Sequence, residues 1–427
     1  MSQKKPRNVT RYNNQLLYFC FNAEDYHFNN DQKEDIDGSF RNISYLDCNG
    51  NRVRQLHRIQ SLQYSVNNNW EQLNQFGQLA RFDAAMSTNP DITLDFEYIL
   101  SDGYNENIMG FILDGKHQAL SKIMGNSNNS GSNIFLGVAP LGHSIGGADL
   151  STFGDSFTSV GFGNAFFSQY AVTAEVGSVP KARVSFECFN INSKYGYQNL
   201  PSPAVDVKRD CVSDMKYSLP DTYENFLYPK LKGLDQIEYK NLIGGVRPSD
   251  IKIYLGNSAV FSKLFDSPTG SRSGCASIQG FTINLPMGTT KVNKVGSVLG
   301  FYRSLNFPSK IEIEVNAIMS DLKQSKNVMD SLCNQEPVDV VLELLDCKSL
   351  MMCETDLENR TASMRFVVKN VSQESEAFSS NIGDNKSVNL KFSGSIAGPE
   401  DDKNGLFIEA KSFMPDRPRV ISWGQPL

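Results

Sequence analysis

The chain has 427 residues, enough for two cored domains, and its 40% hydrophobic, 21% charged and 11% aromatic residues exclude a disordered protein. A formal charge of −6, from 41 Lys and Arg against 47 Asp and Glu, excludes the broad basic surface of a sequence-independent nucleic-acid binder. The 32 glycines, many Asn and Ser, and short apolar runs point to a β-dominated chain with many turns.

The first residues, MSQKKPRNVTRYNN, are basic, and the apolar run LLYFCF (16–21) is too short for a signal peptide. No window approaches 18 uninterrupted apolar residues, so the expectation is a soluble chain with no membrane partner. The cysteines (Cys20, Cys48, Cys188, Cys211, Cys275, Cys333, Cys347, Cys353) are scattered and form no CxxC pair. That spacing argues against a zinc cluster or a disulfide scaffold and for free thiols in a reducing cytoplasm.

From residue 59 the sequence repeats itself. An offset of 219 lays 59–102 on 278–321 without a gap, matching Ile59/Ile278, Gln60/Gln279, Asn74/Asn293, Gly77/Gly296, Phe82/Phe301, Ile92/Ile311, Ile99/Ile318 and Asp102/Asp321. Apolar positions also stay in step: Leu62/Phe281, Tyr64/Ile283, Val66/Leu285, Leu94/Ile313 and Phe96/Val315. A one-residue slip would turn a strand's apolar face to water, so parity kept this long implies one shared structure. Within each copy Ile92, Leu94, Phe96 and Tyr98 alternate with Asp91, Thr93, Asp95 and Glu97, and Ile311, Ile313 and Val315 alternate with Lys310, Glu312 and Glu314. This is the pattern of antiparallel strands with one buried and one wet face.

A second, shorter pairing sets 181–191 on 361–371 at an offset of 180, through Ala182/Ala362, Phe186/Phe366 and Asn190/Asn370. The drop from 219 to 180 gives the first copy a 39-residue surplus. The Gly-, Ser- and Asn-rich stretch 125–165 is its expected source, read as a long loop, with a second insertion over 193–240 around Pro201, Pro203, Pro220 and Pro229. The strand-like run 251–257 opens a second unit, dividing the chain into 1–250 and 251–427. Helices are expected over 104–124 and 321–333.

One motif argues for an enzyme. Gly142-His143-Ser144-Ile145-Gly146-Gly147 matches G-x-S-x-G, the nucleophile elbow of α/β-hydrolases. In that fold the base histidine follows the serine, whereas His27, His57, His117 and His143 all precede Ser144. The flanks also read as Gly-rich loop, so no catalytic residue is assigned. The histidines lack metal-ligand spacing, and 102–107 lacks the terminal Glu of a calcium loop, so no metal or cofactor is expected.

The run 59–106 is similar to the tube domain of bacteriophage tail tube proteins, as are 172–192, 246–255 and 393–410 (SGSIAGPEDDKNGLFIEA). Together these segments cover about half of the chain, and their order carries the resemblance. It implies a mainly β fold of two tandem tail-tube-like β-sandwich or barrel domains, each with a flanking helix. It also implies a structural virion protein, not an enzyme: rings stacked into a tail tube through which double-stranded DNA is ejected. Two fused domains imply homotrimeric, pseudo-hexameric rings that contact other tail proteins (baseplate, terminator, sheath). A tail terminator, distal tail or baseplate protein of related fold is the alternative. Asp91, Asp95, Glu97, Glu312 and Glu314 are then candidate lumen-lining residues, five carboxylates against Lys310, where like charge keeps DNA from adhering. Alternation alone fits an ordinary solvated sheet face equally well.

Overall fold

A computed structural model describes residues 15–21, 54–86, 90–100, 103–124, 131–140, 156–196, 200–206, 211–212, 251–255, 277–292, 302–306, 308–318, 337–345, 362–379, 387–396, 398 and 401–410. The chain is mainly β. Fifteen strands join in one antiparallel sheet, and three two-stranded ribbons accompany it. The first half contributes β1 (Gln15–Phe21), β2 (Arg54–Gln55), β3 (Ile59–Asn67), β4 (Trp70–Leu73), β5 (Asp83–Met86), β6 (Asp91–Ile99), β7 (Ser132–Val138), β8 (Thr158–Glu175), β9 (Lys181–Cys188), β10 (Asn190–Tyr195), β11 (Val205–Asp206) and β12 (Cys211–Val212). The second contributes β13 (Ile251–Leu255), β14 (Ser277–Pro286), β15 (Thr289–Val292), β16 (Tyr302–Leu305), β17 (Ser309–Ile318), β18 (Val338–Leu345), β19 (Ala362–Ser379), β20 (Ser387–Ile396) and β21 (Gly405–Ala410).

Two 18-residue strands organise everything else. The N-terminal half of β8 pairs with β7 and β10, and its C-terminal half pairs with β9. The N-terminal half of β19 likewise pairs with β18 and β21, and its C-terminal half with β20. One covalent strand thus belongs to two layers. The layers close on a common core: Leu17, Phe19, Ile134, Leu136 and Phe162 from one meet Leu94, Phe96, Val184 and Phe186 from the other. The rings of Phe19 and Phe186 lie 5.9 Å apart, and those of Phe96 and Phe186 stack at 5.9 Å. Alternation explains the inner layer, since Ile92, Leu94, Phe96 and Tyr98 are buried while their β6 neighbours stay wet.

The pairing recurs residue for residue. In β3/β6 the ladder runs Leu62 to Phe96 and Tyr64 to Leu94, with a bulge between Ile59 and Ser61. In β14/β17, at the 219 offset, it runs Phe281 to Val315 and Ile283 to Ile313, with its bulge between Ile278 and Gly280. The later strands follow a different offset. Phe167↔Phe186 and Gln169↔Ser185 in β8/β9 correspond to Gln373↔Phe392 and Ser375↔Lys391 in β19/β20, a shift of 206 with a bulge at the same step. β7/β8 and β18/β19 obey the same shift, Leu136↔Val160 becoming Leu342↔Phe366.

The corner of each long strand is an asparagine in the left-handed region, Asn164 at φ 50° and Asn370 at φ 58°. Asparagine tolerates that conformation better than most side chains, which suits it to a bulge. The Asn164 backbone N–H donates to Asn133 Oδ1 at 3.2 Å, and the Asn370 N–H donates to Asp339 Oδ1 at 2.9 Å.

Several sequence expectations are corrected here. The offset-180 pairing is replaced, because 362–371 belongs to β19, the positional counterpart of β8, whereas 181–188 is matched by β20. The surplus shrinks from 39 to 13 residues (219 minus 206) and falls between β6 and β7. The stretch 125–165 is not a long loop: it contains β7 and the start of β8, while 141–155 lies outside the described residues. Its glycines mark crowding instead. A Cβ on Gly163 would come within 2.0 Å of the Pro203 carbonyl oxygen, and one on Gly161 within 2.9 Å of Pro201. The segment 200–205, expected to be an insertion, lies across β8 there and is fixed where Asn164 Oδ1 accepts from the Val205 N–H at 2.6 Å. The expected helix 104–124 is two short ones, α1 (Tyr104–Ile108) and α2 (Ser121–Met124), and 321–333 lies outside the described residues. Cys20 is disulfide-bonded, its partner lying outside the described side chains, while Cys188 is a free, buried thiol. The free-thiol expectation therefore fails at Cys20.

Candidate assembly surface

β8 pairs on its far side with β14, Thr173 opposite Thr282 and Val172 opposite Ile283. This joins the two halves into a continuous eight-stranded run, β3-β6-β9-β8-β14-β17-β20-β19. The seam is dry on one face, with Tyr170, Val172, Ile283 and Leu285 all buried. On the other face Gln169 Nε2 donates to Asn284 Oδ1 at 2.7 Å.

All five carboxylates named from the sequence lie on the wet face of this one run. Asp95 sits between Gln63 and Ser185, and Glu97 between Ser61 and Arg183. Glu312 sits between Asn284 and Ser393, and Glu314 between Thr282 and Lys391. Asp91 begins the row, opposite Asn67. The tally of five carboxylates against one lysine does not survive, because β9 and β20 bring their own cations to the same face. Lys181 Nζ lies 2.6 Å from Glu97 Oε1, and Lys391 Nζ 2.5 Å from Glu314 Oε1. Lys291 Nζ reaches Asp91 Oδ1 at 3.1 Å, and Asp95 accepts from the Ser185 hydroxyl. Lys310 Nζ pairs with Glu374 Oε1 at 2.5 Å, and Ser393 Oγ donates to the same oxygen at 2.6 Å. Partial burial favours the neutral Asp91 carboxyl, but Lys291, Asn69 and Arg303 outweigh it and hold that carboxyl below its ordinary range. The bonds from Lys310 and then Ser393 likewise depress Glu374, and Glu314 raises Lys391. The face is a lattice of paired charges in which Glu312 also acts on Lys310 and Lys391.

The run ends in two strand edges, β3 and the C-terminal half of β19. The core-side residues of β3 are laid bare there: Tyr64 is 49% and Val66 40% exposed, whereas their counterparts on β14, Ile283 and Leu285, are 2% and 0% exposed. The difference is the neighbour. β14 is covered by β8, and β3 has none beyond β6 among the described residues.

β3 and its counterpart β14 are each followed by a hairpin, and the two behave differently. The β15–β16 hairpin lies on the first half of the chain. Arg303, buried, forms an ion pair with Glu187, donates to Thr289 Oγ1 at 3.0 Å and packs over the rings of Phe189 and Phe166 at 5.5 and 5.9 Å. Lys291 Nζ also donates to the Pro90 carbonyl at 3.3 Å. Among the described residues the β4–β5 hairpin has no such bed: Trp70, Phe76, Leu79 and Phe82 are all exposed, with Gly77 at φ 84° turning its tip. Sequence reading missed this contrast, since Phe82/Phe301 and Gly77/Gly296 make the hairpins look alike.

The G-x-S-x-G run at 142–147 lies outside the described residues. Of the histidines, His117 Nδ1 pairs with Asp114 Oδ2 at 2.5 Å on the surface, and His57 is half-buried with its ring 4.5 Å from that of Tyr104. Among the described residues no three His, Cys, Asp or Glu side chains gather to hold a metal, and no helix is long and apolar enough to cross a membrane.

No protein-family model matches the chain, and no curated protein does. Among solved structures the chain is similar to one from the sheath–tube complex of an extracellular contractile injection system (PVC) in its extended state. That match has 11% identity and a TM-score of 0.26, covering 42% of this chain and 100% of the other.

Proposed function

We propose that the chain is a structural tail protein built from two copies of one tube-type β-sandwich domain, 1–250 and 251–427, and that three chains close into a pseudo-sixfold ring. Stacked rings form the tail tube of a virion, assembled in the host cytoplasm and bound at its ends by other tail proteins. One observation carries this reading: eight strands in one sheet, made of two four-stranded sets with the same registers and bulges, and open at both edges among the described residues. Open edges with half-bare apolar residues invite further strands, and a closed ring satisfies them without end. The second layer covers the core side of the sheet, so closure turns the wet face, with Asp91, Asp95, Glu97, Glu312 and Glu314, toward the lumen. A hydrated lattice of paired charges with acid in excess offers DNA no continuous basic surface to hold.

Negative-stain images of the purified chain should show rings or tubes with a hole wide enough for duplex DNA. A chain that stays monomeric at high concentration sinks the proposal. A tail terminator or baseplate role predicts single rings that never stack. The chain is read as non-enzymatic, and an esterase signal lost in Ser144→Ala would overturn that.

A further inference from the structure

The seam inside the chain specifies the seam between chains. We infer that β3 and the β4–β5 hairpin of one copy dock on the β19 edge of a second copy, in the register that β14 already uses against β8. This rests on the ring reading above and adds to it which residues meet. Shifting β14 back by 219 and β8 forward by 206 places Tyr64 opposite Phe378, Ser65 opposite Ala377 and Val66 opposite Glu376, where the chain itself pairs Ile283 with Val172, Asn284 with Ala171 and Leu285 with Tyr170. The partner is a second copy because, among the described residues, this chain's own β19 edge reproduces the bulged outline that β8 presents to β14.

The hairpin follows from the same operation. Within the chain, Thr289 and Arg303 sit on Glu187, and Lys291 on Asp91. Their positions in the first copy are held by Trp70, Ala84 and Gln72, and the bed becomes Ser393 and Lys310 of the second copy. The cationic hairpin meets acids inside the chain, and the apolar hairpin meets an uncharged serine and a lysine already neutralised by Glu374. Trp70 has an occupant to cover, and its 55% exposure is the mark of an unfilled contact.

The test is disulfide capture in the full-length chain. Ser65→Cys with Ala377→Cys places thiols at opposed, exposed positions on the wet face; Ser65→Cys with Ser379→Cys is slipped by two residues. That slip moves one sulfur about 7 Å along the strand, beyond disulfide reach. Under mild oxidation the first pair should give about tenfold more chain-to-chain product than the second, with each single variant as the background for native cysteines. Rings that form normally while the two pairs link equally, or while the slipped pair links better, overturn the register and leave the ring reading standing. Absence of any association overturns both. Trp70→Ala, at an exposed site, should keep the circular dichroism of the parent and raise the concentration needed for ring formation about tenfold. Rings at the parent's concentration would remove the hairpin from the interface.

Discussion

Replacing Arg303 with Met tests the bed on which the second half's hairpin rests. The guanidinium is 4% exposed, ion-paired to Glu187, bonded to Thr289 Oγ1 and flanked by two phenylalanine rings. Burial pushes its pKa down to about 10 against the pull of Asp91, a sign that desolvation is costly and the compensating contacts matter. Methionine keeps the stem's volume and removes the charge. The lost hydrogen bonds to a charged group contribute about 1.5–3 kcal/mol, and the ring contacts add about 1 kcal/mol. Glu187 is 37% exposed and regains water, which offsets part of this. The expected loss is about 3 kcal/mol, read as a lower urea midpoint at unchanged slope. Lys310→Met is the control: its pair with Glu374 is open to solvent (55% and 43% exposed), and the midpoint should stay in place. Equal midpoints for the two variants would refute the hairpin's anchoring role.

Other perturbations separate the remaining parts. Burial, and then Arg58, pushes the His57 pKa down to about 4 from 6.5, so the folded state releases a proton that the unfolded chain keeps. Stability is therefore full above pH 6.5 and falls by about 3 kcal/mol as pH drops toward 4; thermal melts of His57→Phe should lose that slope. Gly163→Ala forces the Pro203 segment off β8 and should expose 200–206 to limited proteolysis at a cost of about 3 kcal/mol. Asn164→Ala should cost about 3 kcal/mol, through φ strain and the bonds to Val205, and Asn370→Gly near zero, because glycine accepts φ 58° and the site is exposed. Charge reversal at Asp95 and Glu97 to Lys should leave rings intact and slow DNA passage, and unchanged ejection kinetics would detach the wet face from the lumen.

The inner layer was legible because β3, β6, β14 and β17 alternate cleanly and hold parity at one offset. The second offset was not, for a physical reason: alternation has period two, so any strand matches any other at an even shift. The offsets 180 and 206 differ by 26, and both keep apolar residues in step. Only the bulges tell them apart, and a bulge leaves one letter in the sequence, Asn164 or Asn370, whose significance is its backbone angle. Composition misled at 125–165, where glycines permit close approach at Gly161 and Gly163 instead of marking turns. The five acids were found from alternation, but Lys181 and Lys391 were not, because their neighbours depend on strand order across the sheet. Which hairpin is seated and which is bare turned on Arg303 standing where the other copy has Ala84.

The β8–β14 seam has a consequence for how dilute a solution can still build rings. In the proposed ring of six units, the covalent link would make three of the six seams intramolecular, formed at an effective concentration set by the tether instead of by the bulk. Ring yield then scales with the third power of chain concentration where six separate units would need the sixth. The internal seam can also rely on a buried ion pair such as Arg303–Glu187, whose halves never have to find each other through water. In that proposed ring each chain would reach the next with only its bare edge and hairpin left to place.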